Sequence, residues 1–161
     1  MKTIDKCPRC KEEDLNITIT NEVLENLCHT LCNEPKIRFC GVINPLGRLV
    51  TGGFRDGIKP LDNEDQRQML YIQSYLEMSM KGEFDDTLGN VNFITTYRDN
   101  VALISIPMQQ NYLLMMSVER NAEIPQIIKK TISLFESNGI LGGRKKSIPS
   151  NNDSTLSPEF A

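Results

Sequence analysis

The residues best able to do chemistry are cysteines near the start of the chain. Cys7 and Cys10 form a Cys-x-x-Cys pair, a spacing at which two thiolates can bind one tetrahedral zinc ion. Cys28 and Cys32 lie four residues apart, so they share one face of a predicted helix. The four cysteines, with His29 as a spare ligand, could form a zinc site. A pair of reduced thiols without metal, or a redox or disulfide pair, would use the same residues.

The other residues and motifs that could carry chemistry are better explained by structural roles or are absent. Cys40 alternates with apolar residues in a predicted strand, so we expect it to be buried. His29 is the only histidine and belongs to no recognisable nucleophile–base arrangement, so we expect a surface or capping role. The sequence has neither Gly-x-x-x-x-Gly-Lys-Ser/Thr nor Gly-x-Gly-x-x-Gly. It therefore predicts a protein that is not an enzyme, with no cofactor apart from the zinc ion considered above.

Composition restricts the class of protein and its partners. The chain has 161 residues, 39 % of them hydrophobic, and a formal net charge of −3, which does not favour nucleic acid as a partner. No apolar run approaches the roughly 20 residues of a membrane span, so no membrane insertion is expected. The odd number of cysteines and the absence of an apolar stretch behind the first lysines predict a cytoplasmic protein with reduced thiols.

Three zones differ in composition and pattern. Residues 1–20 are a polar segment with the Cys-x-x-Cys pair, residues 21–137 hold the periodic apolar pattern, and residues 138–161 read as a disordered polar tail. The middle zone predicts the order α-β-β-α-β-β-β-α, an α/β (α+β) domain. The predicted helices are 21–31, 62–81 and 124–136, and the predicted strands are 37–43, 48–54, 91–97, 101–106 and 112–118.

The long predicted helix, 62–81, carries two apolar stripes. Met69, Ile72, Leu76 and Met80 fall within about 80° of one another, whereas Tyr71, Tyr75 and Met78 lie on nearly the opposite side. One stripe can pack on the sheet, and the other needs a different partner. We predict that a second copy of the helix covers the tyrosine stripe across a two-fold axis. Alternatively, the tyrosines lie on the surface, or the N-terminal segment folds over them.

The element order and one hairpin resemble the roadblock family of small α/β modules. The hairpin is KIRFCGVINPLGRLVTGG, residues 36–53, in which a strand ends in a polar turn with glycine and the next strand reaches a pair of small residues. The resemblance covers residues 21–137. In detail it is closest to uncharacterised archaeal single-domain proteins, which have segments similar to EFDDTLG, residues 83–89.

This resemblance implies a fold, an interface and a class of partner. Roadblock domains have a five-stranded antiparallel sheet with helices on both faces, and they dimerise through the middle helix and the adjacent edge strand. Members act as non-catalytic scaffolds or as regulators bound to small Ras-like GTPases. The predicted function is therefore a homodimeric interaction scaffold, with a zinc-stabilised module that recognises protein or nucleic acid as the alternative. The predicted interface residues are Tyr71, Tyr75 and Met78 on the helix and Val91, Phe93 and Thr95 on the edge strand.

Overall fold

The computed structural model describes residues 20–140, and its secondary structure follows the predicted order. The α-helices are α1 (Asn21–Cys32), α2 (Glu64–Lys81), the short α3 (Asp85–Leu88) and α4 (Ile124–Ser137). The strands are β1 (Ile37–Ile43), β2 (Leu49–Phe54), β3 (Ile94–Tyr97), β4 (Val101–Pro107) and β5 (Leu113–Glu119). Helix α3 and a preceding 3₁₀ turn, Gly82–Phe84, were not expected from the sequence.

The five strands form one sheet in the order β2-β1-β5-β4-β3, and every neighbouring pair is antiparallel. Helices α1 and α4 cover one face, where buried side chains such as Leu31, Ile104 and Phe135 form the larger core. Helix α2 covers part of the other face over a smaller core that includes Phe39 and Met115. The predicted fold class, a five-stranded antiparallel sheet with helices on both faces, is confirmed.

The predicted β1–β2 hairpin is present, with the expected turn chemistry. The Asn44 side chain accepts hydrogen bonds at 3.0 Å from the backbone N–H groups of Leu46 and Arg48. Gly47 has φ +73°, a left-handed conformation that glycine adopts without strain. The turn packs against α2, because a Cβ atom added to Gly47 would lie 2.7 Å from Cγ1 of Ile72. The hairpin is therefore held against the long helix.

Several element boundaries differ from the predicted ones by one to three residues. Helix α1 begins at Asn21 as predicted and is capped by Thr20, whose hydroxyl accepts a hydrogen bond at 3.4 Å from the backbone N–H of Val23. Strand β3 is shorter than the predicted 91–97 segment and begins at Ile94. Ile140 is fully buried in the larger core, so the packed domain reaches three residues past the predicted boundary at 137. Residues 1–19 and 141–161, which hold most of the two predicted terminal zones, lie outside the described residues.

No helix between residues 20 and 140 combines the length and the apolar character that crossing a membrane requires.

Candidate functional site

Helix α2 has a firmly defined start, which fixes where its side chains point. The Asn63 side chain accepts a hydrogen bond from the backbone N–H of Gln66 at 2.8 Å, and the Gln66 side chain accepts one from the backbone N–H of Asn63 at 3.1 Å. This reciprocal pair is a capping box. Asp62, the first residue of the predicted helix, lies before the observed cap and pairs with Arg67 at 3.2 Å. Both interactions anchor the first turn of the helix.

The tyrosine stripe of α2 faces the protein's own sheet. Tyr71 is only 2 % exposed, and its ring stacks on that of Phe39 with ring centroids 6.0 Å apart. Tyr75 and Met78 pack against the same small core. Tyr71 is therefore covered by the protein's own sheet, while Tyr75 and Met78 are half-buried against the same core, and the assignment of the three residues to a dimer interface stays a prediction that this packing does not favour. Two large aromatic rings fill the space between helix and sheet better than the slimmer side chains of the other stripe.

The second stripe of α2 is largely exposed. Its four side chains lie on the opposite side of the helix from the tyrosines and are between 39 % and 67 % exposed: Met69, Ile72, Leu76 and Met80. Within the monomer, Ile72 contacts the β1–β2 turn at Gly47. Scattered apolar residues are normal on a surface, but four on one face of one helix form a continuous strip. This strip, called here the outer stripe, is the clearest candidate for an interaction surface in the described part of the chain.

Strand β3 lies at the edge of the sheet on the side beyond β4. Within residues 20–140 it pairs only with β4, so its outer edge faces no other strand. Of the predicted edge residues, Thr95 lies within β3 opposite Ile104, while Val91 and Phe93 precede the strand. Phe93 is 45 % exposed. Pairing of this segment with a second copy remains a prediction. Because β3 covers only residues 94–97, the pairing would be restricted to those residues.

The structure brings Cys40 of β1 next to Cys28 and Cys32 of α1. Cys28, Cys32 and Cys40 are buried in the larger core, and the Cys32 thiol donates a hydrogen bond to the Gly53 carbonyl at 3.4 Å. Hydrogen bonding to Cys28 and Cys32, together with burial, raises the pKa of Cys40 well above its usual value. A hydrogen bond with Cys40, partly opposed by burial, lowers the pKa of Cys32.

These thiols are part of the core between α1 and the sheet, and they do not form a metal site by themselves. Between residues 20 and 140 no group of three or more His, Cys, Asp or Glu side chains is arranged to hold a metal ion. Cys7 and Cys10 lie outside the described residues. The predicted zinc site of Cys7, Cys10, Cys28 and Cys32 stays a prediction. The sequence pattern placed Cys40 in the core correctly but gave no sign of its contacts with the other two.

The raised pKa of the buried Tyr71 phenol leads to a prediction about stability in alkaline solution. Burial raises its pKa to about 12 from an ordinary value of 10.0; nearby Arg67 opposes the rise, and Asp62 adds to it. The folded state therefore holds this proton more tightly than the unfolded state. Its contribution to the free energy of unfolding is complete below pH 10 and is lost as the pH rises towards 12.

We expect the free energy of unfolding to fall more steeply over this window in the unmodified protein than in Tyr71→Phe. Denaturant unfolding at a series of pH values measures both slopes, and the phenylalanine variant keeps the ring while removing the proton. If the free energy of unfolding falls with pH at the same rate in both proteins, the Tyr71 phenol ionises as easily in the folded protein as in solvent.

Comparison with known proteins supports the fold and one family. A model of the family described as "Family of unknown function (DUF6659)" matches residues 15–139. No curated protein sequence matches the chain.

Solved structures similar to this one include a Roadblock/LC7 domain and MglB proteins. The Roadblock/LC7 domain from Streptomyces avermitilis has a TM-score of 0.56 at 14 % identity, covering 70 % of this chain and 92 % of its own. Myxococcus xanthus MglB has a TM-score of 0.55 at 10 % identity, covering 72 % and 94 % respectively. A structure described as MglB with a tetrameric arrangement has a TM-score of 0.52 at 10 % identity, covering 73 % and 90 %. The resemblance predicted from the hairpin and the element order is thereby confirmed at the level of the fold.

Proposed function

Because the chain belongs to the family of unknown function DUF6659 and has a roadblock fold, we propose that it is a homodimeric scaffold without catalytic activity that regulates a small Ras-like GTPase. The observation that carries the dimer is the outer stripe of α2. Four exposed apolar side chains on one helix face need a partner surface of the same character to leave water.

The spacing of the outer stripe suits a two-fold partner. The order Met69, Ile72, Leu76, Met80 is nearly the same in either direction along the helix. In an antiparallel pair of α2 helices, the two methionines would lie at the ends and Ile72 and Leu76 would meet at the centre. The stripe spans 12 residues, Met69 to Met80, or about 16 Å along the helix axis, which is three helical turns of contact. A two-fold interface of this kind uses the same patch on both copies.

The edge of the sheet offers a second contact for the same partner. Strand β3 carries backbone N–H and C=O groups on an edge that no described strand occupies. Such an edge is a template for pairing with another strand. A second copy placed on the outer stripe could pair its β3 with this one, which would extend the antiparallel sheet. The MglB structure with a tetrameric arrangement supports association between copies of this fold.

The GTPase is proposed from the roadblock resemblance, whose members include regulators bound to small Ras-like GTPases. The test is binding of the purified protein to small Ras-like GTPases loaded with GDP or with a non-hydrolysable GTP analogue, followed by GTP hydrolysis rates with and without the protein. We expect preferential binding to one nucleotide state and an altered hydrolysis rate. A dimer that binds neither state of any GTPase tested would contradict the regulatory proposal and leave the scaffold proposal standing.

A further inference from the structure

A cavity of about 490 Å³ opens between the first half of α2 and the part of the sheet beside it. Its walls are mostly apolar: Phe54 and Met115 contribute from the sheet, Leu70 from the helix, and Leu103 from β4, which α2 leaves partly exposed. Sites for small molecules are mainly apolar, have volumes of about 300–1,000 Å³ and carry a few convergent polar groups. This cavity lies on the opposite side of the sheet from the larger core.

The polar groups of the cavity are predominantly cationic. Three arginines from different elements line it, Arg38, Arg67 and Arg98, and of all its lining residues between positions 20 and 140 only Asp62 is acidic. Asp62 pairs with Arg67, and Glu119, just outside the lining, pairs with Arg38, so three arginines against these two carboxylates leave a formal charge of +1. The chain as a whole has a formal charge of −3. The cavity is therefore a positively charged region of a negatively charged protein.

The three arginines are held to different degrees. Arg67 pairs with Asp62 at 3.2 Å and lies 4.8 Å above the ring of Phe54, which fixes the guanidinium over an aromatic wall. Arg38 pairs with Glu119 at 3.1 Å and donates to the carbonyl of Lys59 at 3.0 Å. Arg98, in the β3–β4 turn, forms none of the ion pairs found between residues 20 and 140. Its charge is available to a ligand.

From this combination we propose that the cavity binds a small organic anion. The flat apolar body of the ligand would pack against Phe54 and Leu103, and its acidic group would pair with Arg98 at the rim. A carboxylate, sulfonate or phosphate would satisfy the same guanidinium. This inference concerns a ligand and does not depend on the GTPase, although Met69 belongs both to the cavity wall and to the outer stripe.

The test uses two fluorescent probes that share an aromatic body. Anilinonaphthalenesulfonate carries a negative charge, and N-phenylnaphthylamine is its counterpart without the sulfonate. We expect the sulfonate probe to bind at one saturable site per chain, more tightly than the neutral probe, and to weaken as salt is added. Equal affinity for the two probes, or absence of saturable binding to the native protein, would overturn the proposal.

Two exposed glutamines of α2 provide a matched pair of variants. Gln73 lines the cavity and Gln68 does not, and each has a glutamate four residues away on the same helix. We expect Gln73→Glu to weaken sulfonate binding about fivefold, because a negative charge is placed at the rim. Gln68→Glu should leave the affinity unchanged. Equal effects of the two changes would mean that the probe binds elsewhere.

A second pair of variants tests directly whether Arg98 binds the anion. Arg98→Gln should weaken sulfonate binding, whereas Arg48→Gln, an equal loss of charge at an exposed residue of the β1–β2 turn outside the cavity, should not. Both arginines lie in exposed turns, so neither variant is expected to disturb folding. If Arg98→Gln binds the sulfonate probe as well as the unmodified protein does, Arg98 is not the partner of the anion.

Discussion

Leu76→Glu is expected to convert the protein from a dimer to a folded monomer. Leu76 lies near the centre of the outer stripe and is 54 % exposed in the isolated chain, so the monomer loses little when it is replaced. In a two-fold interface each copy would bring a carboxylate into the buried centre, and the two charges would lie close together. Burying unpaired charge of this kind costs several kcal/mol, enough to dissociate a small interface.

Light scattering coupled to size exclusion measures the change, from twice the chain mass of 18.3 kDa to a single chain mass. Ser133→Glu is the control, since it adds one negative charge at an exposed position of α4 on the opposite side of the sheet. It should leave the dimer intact. A Leu76→Glu protein with the mass of the unmodified dimer would remove the outer stripe from the interface.

Tyr75→Glu distinguishes the proposed interface on the outer stripe from the interface on the tyrosine stripe that was predicted from the sequence. Tyr75 packs against the small core beneath α2, so a charged side chain there should destabilise the fold itself. If Tyr75 lay in a dimer interface, as the sequence pattern predicted, this change would give a folded monomer; its packing in the structure instead predicts a loss of stability. Thermal unfolding of the two glutamate variants distinguishes the stripes. Only Leu76→Glu should retain the unfolding temperature expected for an intact monomer.

Gly52→Ala is expected to lower the free energy of unfolding by about 3 kcal/mol. Gly52 has φ +107°, which an alanine side chain rarely tolerates. An added Cβ atom would lie 2.2 Å from the Cys40 carbonyl oxygen and 2.6 Å from the Gly41 Cα atom. Both are backbone atoms of β1, so relief requires moving the strand that pairs β2 with the rest of the sheet.

The neighbouring glycine is a close control for this change. A Cβ atom added to Gly53 would meet no heavy atom within 4 Å, and the φ of Gly53 lies outside the left-handed region. Denaturant unfolding should place Gly53→Ala within about 0.5 kcal/mol of the unmodified protein. If the two alanine variants unfold at the same denaturant concentration, the close approach of β1 and β2 at Gly52 is not a constraint on the fold.

Local patterns were enough to predict most of the fold. The Asn44–Gly47 turn has the residue types that its geometry requires, and the alternating and helical periodicities of the chain gave the right elements in the right order. The two stripes of α2 were also read correctly as stripes. Periodicity separates two helix faces, but it carries no information about the volume that each must fill. The choice between them depends on Phe39 and Phe54, which come from other strands and leave room for Tyr71.

The features that sequence reasoning missed all depend on tertiary contacts. Cys40 meets Cys28 and Cys32 only because β1 lies beneath α1. The arginines of the cavity come from β1, α2 and the β3–β4 turn, and no spacing in the sequence links them. Ile140 follows a glycine in a polar stretch, so nothing nearby marks it as part of the core.

The most direct test of the central claim is the mass of the unmodified protein in solution, measured by sedimentation velocity over a range of concentrations. An exposed apolar stripe with near-symmetric spacing predicts a dimer of twice 18.3 kDa that persists as the protein is diluted. A single species of 18.3 kDa at every concentration would contradict the homodimeric scaffold and leave the outer stripe to a different partner.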